Sequence, residues 1–256
     1  MIKTYVINLP RSKERREDIL SECAKFNIVP EIIGVDGKKF TETELRELVY
    51  DLDRNPLSRS EVGCALSHRT VYADMVKKDI PFALILEDDI VFKFDPRPIL
   101  KEFSKHSSDE PIVYLLHKDE SQHIVKSRIN SILVGDFRFF QIFRGWSAYG
   151  YILSKKAAAN ILHYQTPVKV MADYWEMFEI NDLIRYYVCE KEIVAHPSEH
   201  DSILEDDRNL TSRIVRKKYF QHLRRQVAFR TRVKNYFFLR RYVLRRSFLK
   251  LIGRWL

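Results

Sequence analysis

The chain has 256 residues, of which 45% are hydrophobic, and its formal net charge is +9. This length allows one substantial globular domain with a buried core, plus an appendage. The three cysteines lack C-x-x-C spacing, so they indicate neither a disulfide framework nor a thiolate zinc site, and they favour a reducing compartment. The N-terminal residues lack the features of a secretory signal, and no apolar stretch approaches the roughly 18 residues that span a bilayer. We therefore expect a cytosolic or peripheral protein.

Strand and helix signals alternate along the chain. Runs of β-branched and apolar residues predict strands over residues 2–9, 30–35, 80–86, 112–116, 132–134, 137–143, 184–188 and 193–195. Apolar residues at helical spacing predict helices over residues 12–26, 41–48, 60–75, 95–103, 154–162 and 172–178. Polar residues that can cap these helices are Ser12, Thr41 with Glu44, Asp95 and Ser154. This alternation predicts a three-layer α/β/α domain with a mostly parallel sheet.

Charge is distributed unevenly along the chain. Residues 208–256 contain 16 Lys and Arg and no Asp or Glu, whereas residues 1–207 carry a net charge of −7. We therefore predict a mildly acidic domain over residues 1–207 and a basic tail over residues 208–256.

Three consecutive carboxylates, Glu87, Asp88 and Asp89, close the most apolar run of the chain. Like charges this close repel, and burying them is costly unless a cation or hydrogen-bond donors compensate. Carboxylate oxygens suit Mn²⁺ or Mg²⁺. The alternative is a solvated acidic turn, but strand ends of open α/β sheets commonly form ligand clefts.

Polar residues near the first two predicted strands are candidates for binding a phosphorylated ligand. Arg11 and Arg15 follow the first strand, where guanidinium groups can meet phosphates. Asp36 ends the second strand and can bind a ribose or a base. A solvated basic helix face and an ordinary Asp-Gly turn explain the same residues.

The predicted helix over residues 60–75 carries Glu61, Ser67 and His68 close together around its axis. His68 can contact a phosphate or a sugar, although a lone helix histidine is commonly a packed residue. We expect Cys64 to be a small core residue.

Four segments in this order resemble glycosyltransferase family 25, the lipopolysaccharide and lipooligosaccharide biosynthesis transferases. They are YVINLPRSKERR, SRSEVGCALSH, LEDDI and WSAYGYILSKKAA, and the resemblance extends over roughly residues 1–205. It implies a GT-A type, Rossmann-like catalytic domain, a divalent metal and inversion at the anomeric carbon. It also implies transfer of a hexose, typically galactose from UDP-galactose, onto a lipooligosaccharide outer core.

The resemblance also implies roles for particular residues. Glu87 and Asp89 match the outer acids of the family's acidic motif, although Glu87 replaces its usual first Asp. Asp89 is the first candidate metal ligand and Glu87 the second, and a late histidine, His200 or else His196, can complete the site. We expect the nucleotide sugar to be bound by Asn8, Arg11, Arg15, Asp36, Ser67, His68, Glu87 and Asp88.

Catalysis and acceptor binding are expected further along the chain. An inverting transfer needs a general base, and the resemblance makes Asp173, the acidic residue after the family's S-K-K-A helix, the leading candidate, with Glu176 as the alternative. Asp173 can equally cap the helix that follows it. Trp146, Tyr149 and Tyr151 can offer a stacking surface for a sugar ring, with Trp146 and Tyr149 expected to bind the acceptor, although aromatic residues near glycine are commonly core.

The basic tail predicts binding to an anionic membrane. On a helix, apolar residues between 237 and 255 gather on one side and basic residues oppose them. With a lipid-linked acceptor, this places the protein on the cytoplasmic face of a bacterial inner membrane. A nucleic-acid-binding protein would also explain the tail, and a metal-dependent phosphoesterase would explain the carboxylates. We favour neither, and expect no nucleic-acid partner.

Overall fold

The computed structural model describes residues 1–118, 131–142, 145–197 and 210–228, together with residues 231 and 233. The strands are β1 Lys3–Ile7, β2 Glu31–Ile33, β3 Phe82–Glu87, β4 Val91–Phe92, β5 Ile112–Leu115, β6 Ser131–Val134, β7 Phe137–Gln141, β8 Gly150–Ser154, β9 Arg185–Cys189 and β10 Val194–Ala195. The α-helices are α1 Lys13–Ala24, α2 Glu42–Leu48, α3 Arg59–Lys77, α4 Arg97–Lys105, α5 Lys155–Tyr164, α6 Trp175–Ile180 and α7 Leu210–Arg225. A short 3₁₀ turn, Gly37–Lys39, precedes α2.

One eight-stranded sheet organises the domain, in the order β2-β1-β3-β8-β5-β9-β7-β6. Six of these strands run in one direction, and β8 and β7 run against them. The sheet is therefore mostly parallel, as predicted. Because β1, β2, β3, β5 and β9 are mutually parallel, the segments that follow them meet at one edge of the sheet. The loop before β8 reaches the same edge, since β8 runs in the opposite direction.

Helices cover both faces of the sheet, which confirms the predicted three-layer α/β/α architecture. On one face, α3, α5, α6 and α7 pack against alternate residues of β1, β3, β5 and β8. On the other face, α1 and α4 pack against the intervening residues of the same strands. Strand residues therefore alternate between two apolar cores, because successive side chains of a strand point to opposite faces.

Local capping explains several element boundaries. Thr41 and Glu44 form the predicted capping box at the start of α2, and Ser154 accepts the backbone N–H of Ala157 at the start of α5. The expectation for Ser12 differs in detail, because Ser12 precedes α1 without a capping bond from its side chain. The helix predicted from residue 172 begins later, at Trp175.

Helix α7 belongs to the packed domain, although its sequence lies in the predicted tail. Tyr219, Leu223 and Val227 are buried, and the first two join the core on the α3 side of the sheet. The change in composition at residue 207 therefore does not separate α7 from the domain. Residues 234–256, which carry the amphipathic pattern, lie outside the described residues. Within the described part of the chain, no helix combines the length and apolarity needed to cross a membrane.

Candidate active site

A cavity of about 760 Å³ opens at the carboxyl edge of the sheet. Side chains from α3, the end of β3, the loop before β8, the loop before α6, the segment after β10 and helix α7 surround it. Its lining residues are Glu61, Cys64, Glu87, Asp89, Trp146, Ser147, Ala148, Tyr149, Met171, Ala172, Asp173, His196, Arg213, Arg216 and Phe220. The volume is that of a typical small-molecule site.

The acidic triplet divides between two environments. Glu87, the last residue of β3, and Asp89 line the cavity. Asp88 turns away from the cavity: Nδ2 of Asn8, just after β1, donates to its Oδ2 at 2.7 Å, and Nη1 of Arg15 on α1 lies 3.4 Å from its Oδ1. Burial raises the pKa of Asp88, and the charge of Asp89 raises it further, while the bonds from Asn8 and Arg15 oppose both effects. Asp88 is thus compensated by protein groups.

Within the described residues, only one of the two carboxylate oxygens of Asp89 has polar partners. Its Oδ2 accepts from Nη1 of Arg15 at 3.1 Å and lies 3.3 Å from Nε2 of His196. Its Oδ1 is buried and has no hydrogen-bond partner within the described part of the chain. A buried carboxylate oxygen without a donor is costly unless a ligand completes it. The carboxylates of Glu87 and Asp89 therefore fit a hard cation with oxygen ligands.

Asp173 lies in the loop before α6 and lines the cavity. The backbone N–H of Ser147 donates to its Oδ2 at 3.2 Å, and the indole N–H of Trp175 donates to the carbonyl of Ser147 at 2.9 Å. Burial raises the pKa of Asp173, and the charge of Glu87 adds to this, while the bond from Ser147 opposes it. A carboxylate with a raised pKa in a ligand cavity can accept a proton.

Aromatic side chains stand beside Asp173. Trp146 is 37% exposed and stacks on Tyr174 with ring centroids 5.0 Å apart. Tyr149 lies against His117 with centroids 4.0 Å apart and also faces His196. Both predicted acceptor-binding residues, Trp146 and Tyr149, are thus lining residues of the cavity.

Behind Glu87 lies a buried row of polar groups. The hydroxyls of Tyr72 and Tyr151 are 2.7 Å apart, and Tyr151 is 2.8 Å from Nδ1 of His68. Nε2 of His68 lies 3.7 Å from Oε1 of Glu87. Cys64, expected in the core, instead lines the cavity and is only partly buried. The pKa of its thiol is well above the ordinary value because of desolvation, with a further contribution from Glu87.

Helix α7 supplies a wall of the cavity that the sequence did not reveal. Arg216 donates to both carboxylate oxygens of Glu61, at 2.8 and 2.6 Å. Glu61 also closes the capping box of α3 with Ser58. Burial raises the pKa of Glu61, but the bonds from Arg216 and Ser58 outweigh it and lower the pKa overall. The sequence shows Glu61 within a capping motif and Arg216 far along the chain, but their spacing does not indicate that the two side chains form an ion pair.

The remaining candidates lie in other places. Arg11 and Asp36 form an ion pair with each other, and Asp36 also caps the 3₁₀ turn. Ser67 on α3 is fully buried, and its hydroxyl accepts the backbone N–H of Val35 and donates to the carbonyl of Gly63. Glu176 pairs with Arg224 at 2.9 Å rather than lining the cavity. His200 lies outside the described residues.

The fold and the cavity define an α/β protein with a small-molecule cleft at the carboxyl ends of its parallel strands. Residues 1–175 match the family described as glycosyltransferase family 25 (LPS biosynthesis protein). The chain belongs to this family, as its sequence motifs predicted.

Several curated relatives carry galactosyltransferase names. The chain is 26% identical over 185 residues to procollagen galactosyltransferase 1 of Danio rerio, a match that covers 66% of this chain and 29% of that protein. It is 25% identical to procollagen galactosyltransferase 2 of Mus musculus, covering 70% of this chain and 32% of that protein. A mouse protein named inactive glycosyltransferase 25 family member 3 is 24% identical, covering 75% of this chain and 35% of that protein. The matches span about a third of these relatives' length.

Proposed function

We propose that this protein is an inverting hexosyltransferase that transfers galactose from UDP-galactose to a lipooligosaccharide or lipopolysaccharide outer core. Family membership supports glycosyl transfer, and the names of the relatives support galactose as the sugar. The family description supports a lipopolysaccharide acceptor, whereas the relatives' names refer to procollagen.

The observation that carries the proposal is the set of carboxylates around one cavity. Glu87 and Asp89 come from the end of β3, and Asp173 comes from the loop before α6. Glycosyl transfer creates negative charge on the departing diphosphate and requires removal of a proton from the acceptor hydroxyl. Two of these carboxylates would bind a cation that neutralises the diphosphate, and the third would accept the proton of the acceptor hydroxyl.

Glu87 and Asp89 would hold Mn²⁺ or Mg²⁺. Oδ1 of Asp89 has no hydrogen-bond donor in the described chain, and both residues offer the oxygen ligands that these ions prefer. A bound ion neutralises the charge that develops on the diphosphate. His196, whose Nε2 lies 3.3 Å from Oδ2 of Asp89, would be a further ligand of this ion, and His200, the other histidine that we predicted for this role, lies outside the described residues.

The chain's own side chains would orient the reactants. The N–H of Ser147 fixes one oxygen of Asp173, and the raised pKa of Asp173 suits a general base that takes the acceptor proton. Trp146 offers an exposed ring face on which an acceptor sugar can stack, and Tyr174 holds that ring in place. Arg15 fixes Asp88 and Asp89 relative to α1.

The location of the protein follows from its acceptor and its charge. The tail beyond the described helix contains the basic amphipathic pattern that binds anionic membranes, with about 1 kcal/mol of attraction per basic residue near the surface. We therefore propose peripheral attachment to the cytoplasmic face of a bacterial inner membrane, where a lipid-linked acceptor is accessible.

A panel of UDP-sugars tests the proposal. Release of UDP is measured with Mn²⁺, Mg²⁺ or chelator, in the presence of lipooligosaccharide or a collagen peptide. We expect the highest turnover with UDP-galactose, Mn²⁺ and lipooligosaccharide. Asp89→Asn should lower it at least about a hundredfold, while the exposed control Asp109→Asn should not. Equal turnover by the wild type and Asp89→Asn would refute the assignment, and absence of sugar transfer from every donor would refute the proposed activity.

A further inference from the structure

A second group of potential metal ligands lies in the wall of the cavity. Cys64 and His68 are four residues apart on α3, so their side chains share one face of the helix. Glu87 faces them from the end of β3. The ligand atoms of these three residues all lie within 4.8 Å of one another. This group contains sulfur and nitrogen, unlike the pair formed by Glu87 and Asp89.

His68 supplies an independent indication that the group binds a ligand. The residue is 1% exposed, and its Nδ1 is engaged by the hydroxyl of Tyr151 at 2.8 Å. Its Nε2 is buried without a hydrogen-bond partner in the described structure and points toward Glu87, 3.7 Å away. A buried imidazole nitrogen without a hydrogen bond is costly, and a bound cation would satisfy it.

We propose that Cys64, His68 and Glu87 form a binding site for a thiophilic divalent cation of the Zn²⁺ type. Zinc accepts sulfur, nitrogen and oxygen ligands together, and sites with three protein ligands keep a fourth position for water or substrate. Cys64 and Glu87 both line the cavity, so the fourth position faces the space where a ligand would bind.

The geometry requires only a small adjustment. Zinc bond lengths place neighbouring ligand atoms about 3.3 to 3.8 Å apart in a tetrahedral site. The three ligand atoms all lie within 4.8 Å of one another. Side-chain rotations that move the sulfur of Cys64 and a carboxylate oxygen of Glu87 by roughly an ångström would therefore bring them to zinc-bonding distances. On binding, the sulfur–hydrogen bond of Cys64 breaks, the sulfur–zinc bond forms and the proton leaves to solvent.

Tyr151 and Tyr72 are suited to support such an imidazole ligand. Metal-binding histidines commonly donate their second ring N–H to an oxygen. Nδ1 of His68 can donate to the hydroxyl oxygen of Tyr151, which can in turn donate to Tyr72, 2.7 Å away. Hydroxyl rotation therefore accommodates a metal on Nε2 without moving a buried ring.

The two metal sites share Glu87 but differ in chemistry. Mn²⁺ prefers oxygen ligands, which Glu87 and Asp89 provide, whereas Zn²⁺ and Co²⁺ bind thiolate and imidazole more strongly. Because one carboxylate serves both, occupancy of the thiol site would withdraw Glu87 from the oxygen site. We expect Zn²⁺ to inhibit turnover and excess Mn²⁺ to relieve that inhibition, and this expectation rests on the proposed function. The existence of the binding site does not depend on the proposed function.

Titration with Co²⁺ tests the site without any enzymatic assay, because a cobalt–thiolate bond gives a near-ultraviolet charge-transfer absorption. We expect this band in the wild type. Cys64→Ala should abolish the band, and His68→Gln should weaken binding roughly tenfold or more. Cys189→Ala, which removes a buried thiol elsewhere in the fold, should retain it, and so should Asp89→Asn. Circular dichroism establishes that each variant is folded.

Each outcome bears directly on the site. Absence of the band in the wild type, or its persistence in Cys64→Ala, would overturn the proposal. Loss of the band in Asp89→Asn would mean that thiolate binding also requires Asp89, and it would overturn a site formed by Cys64, His68 and Glu87 alone. In the activity assay, Zn²⁺ should inhibit the wild type more than Cys64→Ala. If neither protein transfers sugar while Co²⁺ still binds through Cys64, the proposed function fails and this site stands.

Discussion

Replacing Arg216 with alanine tests how much the buried ion pair between Arg216 and Glu61 contributes to holding α7 on the domain. The side chain of Glu61 is 6% exposed and that of Arg216 is 17% exposed. Removing one partner of a buried pair costs about 3 to 5 kcal/mol. Because Arg216 is partly exposed and Glu61 keeps its bonds to Ser58, we expect about 3 kcal/mol for Arg216→Ala. For a chain of this size, the melting temperature should fall by about 6 to 12 °C.

Urea denaturation at pH 7 gives the free energy of unfolding, and Arg213→Ala is the matched control on the same helix. Arg213 is exposed, so its removal should cost less than about 0.5 kcal/mol. The double variant Glu61→Gln/Arg216→Met should be more stable than Arg216→Ala, since no charge remains buried and unpaired. An Arg216→Ala protein as stable as the Arg213→Ala control would refute the reasoning.

The pH dependence of the same pair has a definite sign. The pKa of Glu61 is lowered in the folded protein, so its ionised form adds stability above the usual carboxylate range. This contribution is lost as the pH falls through the lowered pKa. The difference between wild type and Arg216→Ala should therefore narrow in acid, and urea titrations at pH 7 and at acidic pH measure it.

Three further predictions concern catalysis and attachment. Asp173→Asn should lower kcat of galactosyl transfer by about 10² to 10⁴ with little change in KM for UDP-galactose, and the wild-type kcat should fall in acid with a midpoint above that of an ordinary carboxyl. Steady-state kinetics across pH measure both effects, and a full kcat in Asp173→Asn would contradict the assignment of Asp173 as general base. Trp146→Ala should raise KM for the acceptor more than KM for the donor, while the control Trp255→Ala should leave both unchanged with a soluble acceptor. Deleting residues 229–256 should abolish sedimentation with anionic vesicles but spare transfer to that acceptor, and continued vesicle binding would exclude the tail as the anchor.

The sequence predicted the layers and most elements because these depend on local patterns. The short apolar run before Glu87 is typical of a buried strand, and the Thr41 and Ser154 caps mark helix starts directly. The opposite direction of β8 has no local signature, since a buried strand has the same pattern in either direction. Its position between β3 and β5 is set by the packing of the whole sheet.

The candidate site was only partly predictable for a related reason. Motifs located Glu87, Asp89, Asp173 and Trp146, all of which line one cavity in the structure. They could not indicate that Asp88 turns away from the cavity to Asn8 and Arg15, or that Cys64 faces the cavity, because those facts depend on side-chain direction. The wall formed by α7 was assigned to the tail because its composition is basic, and composition carries no information about packing.

The late position of α7 in the chain affects how the protein is made. Residues 1–175 supply most of the sheet edge and the three carboxylates of the cavity, but Arg213, Arg216 and Phe220 are synthesised only afterwards. At translation rates of about 5 to 20 residues per second, a nascent chain spends on the order of seconds with Glu61 facing water and the cleft open on one side. A ribosome-bound intermediate therefore exposes the apolar surface that Tyr219 and Leu223 later cover, and premature termination before α7 would leave that surface permanently accessible to chaperones and proteases.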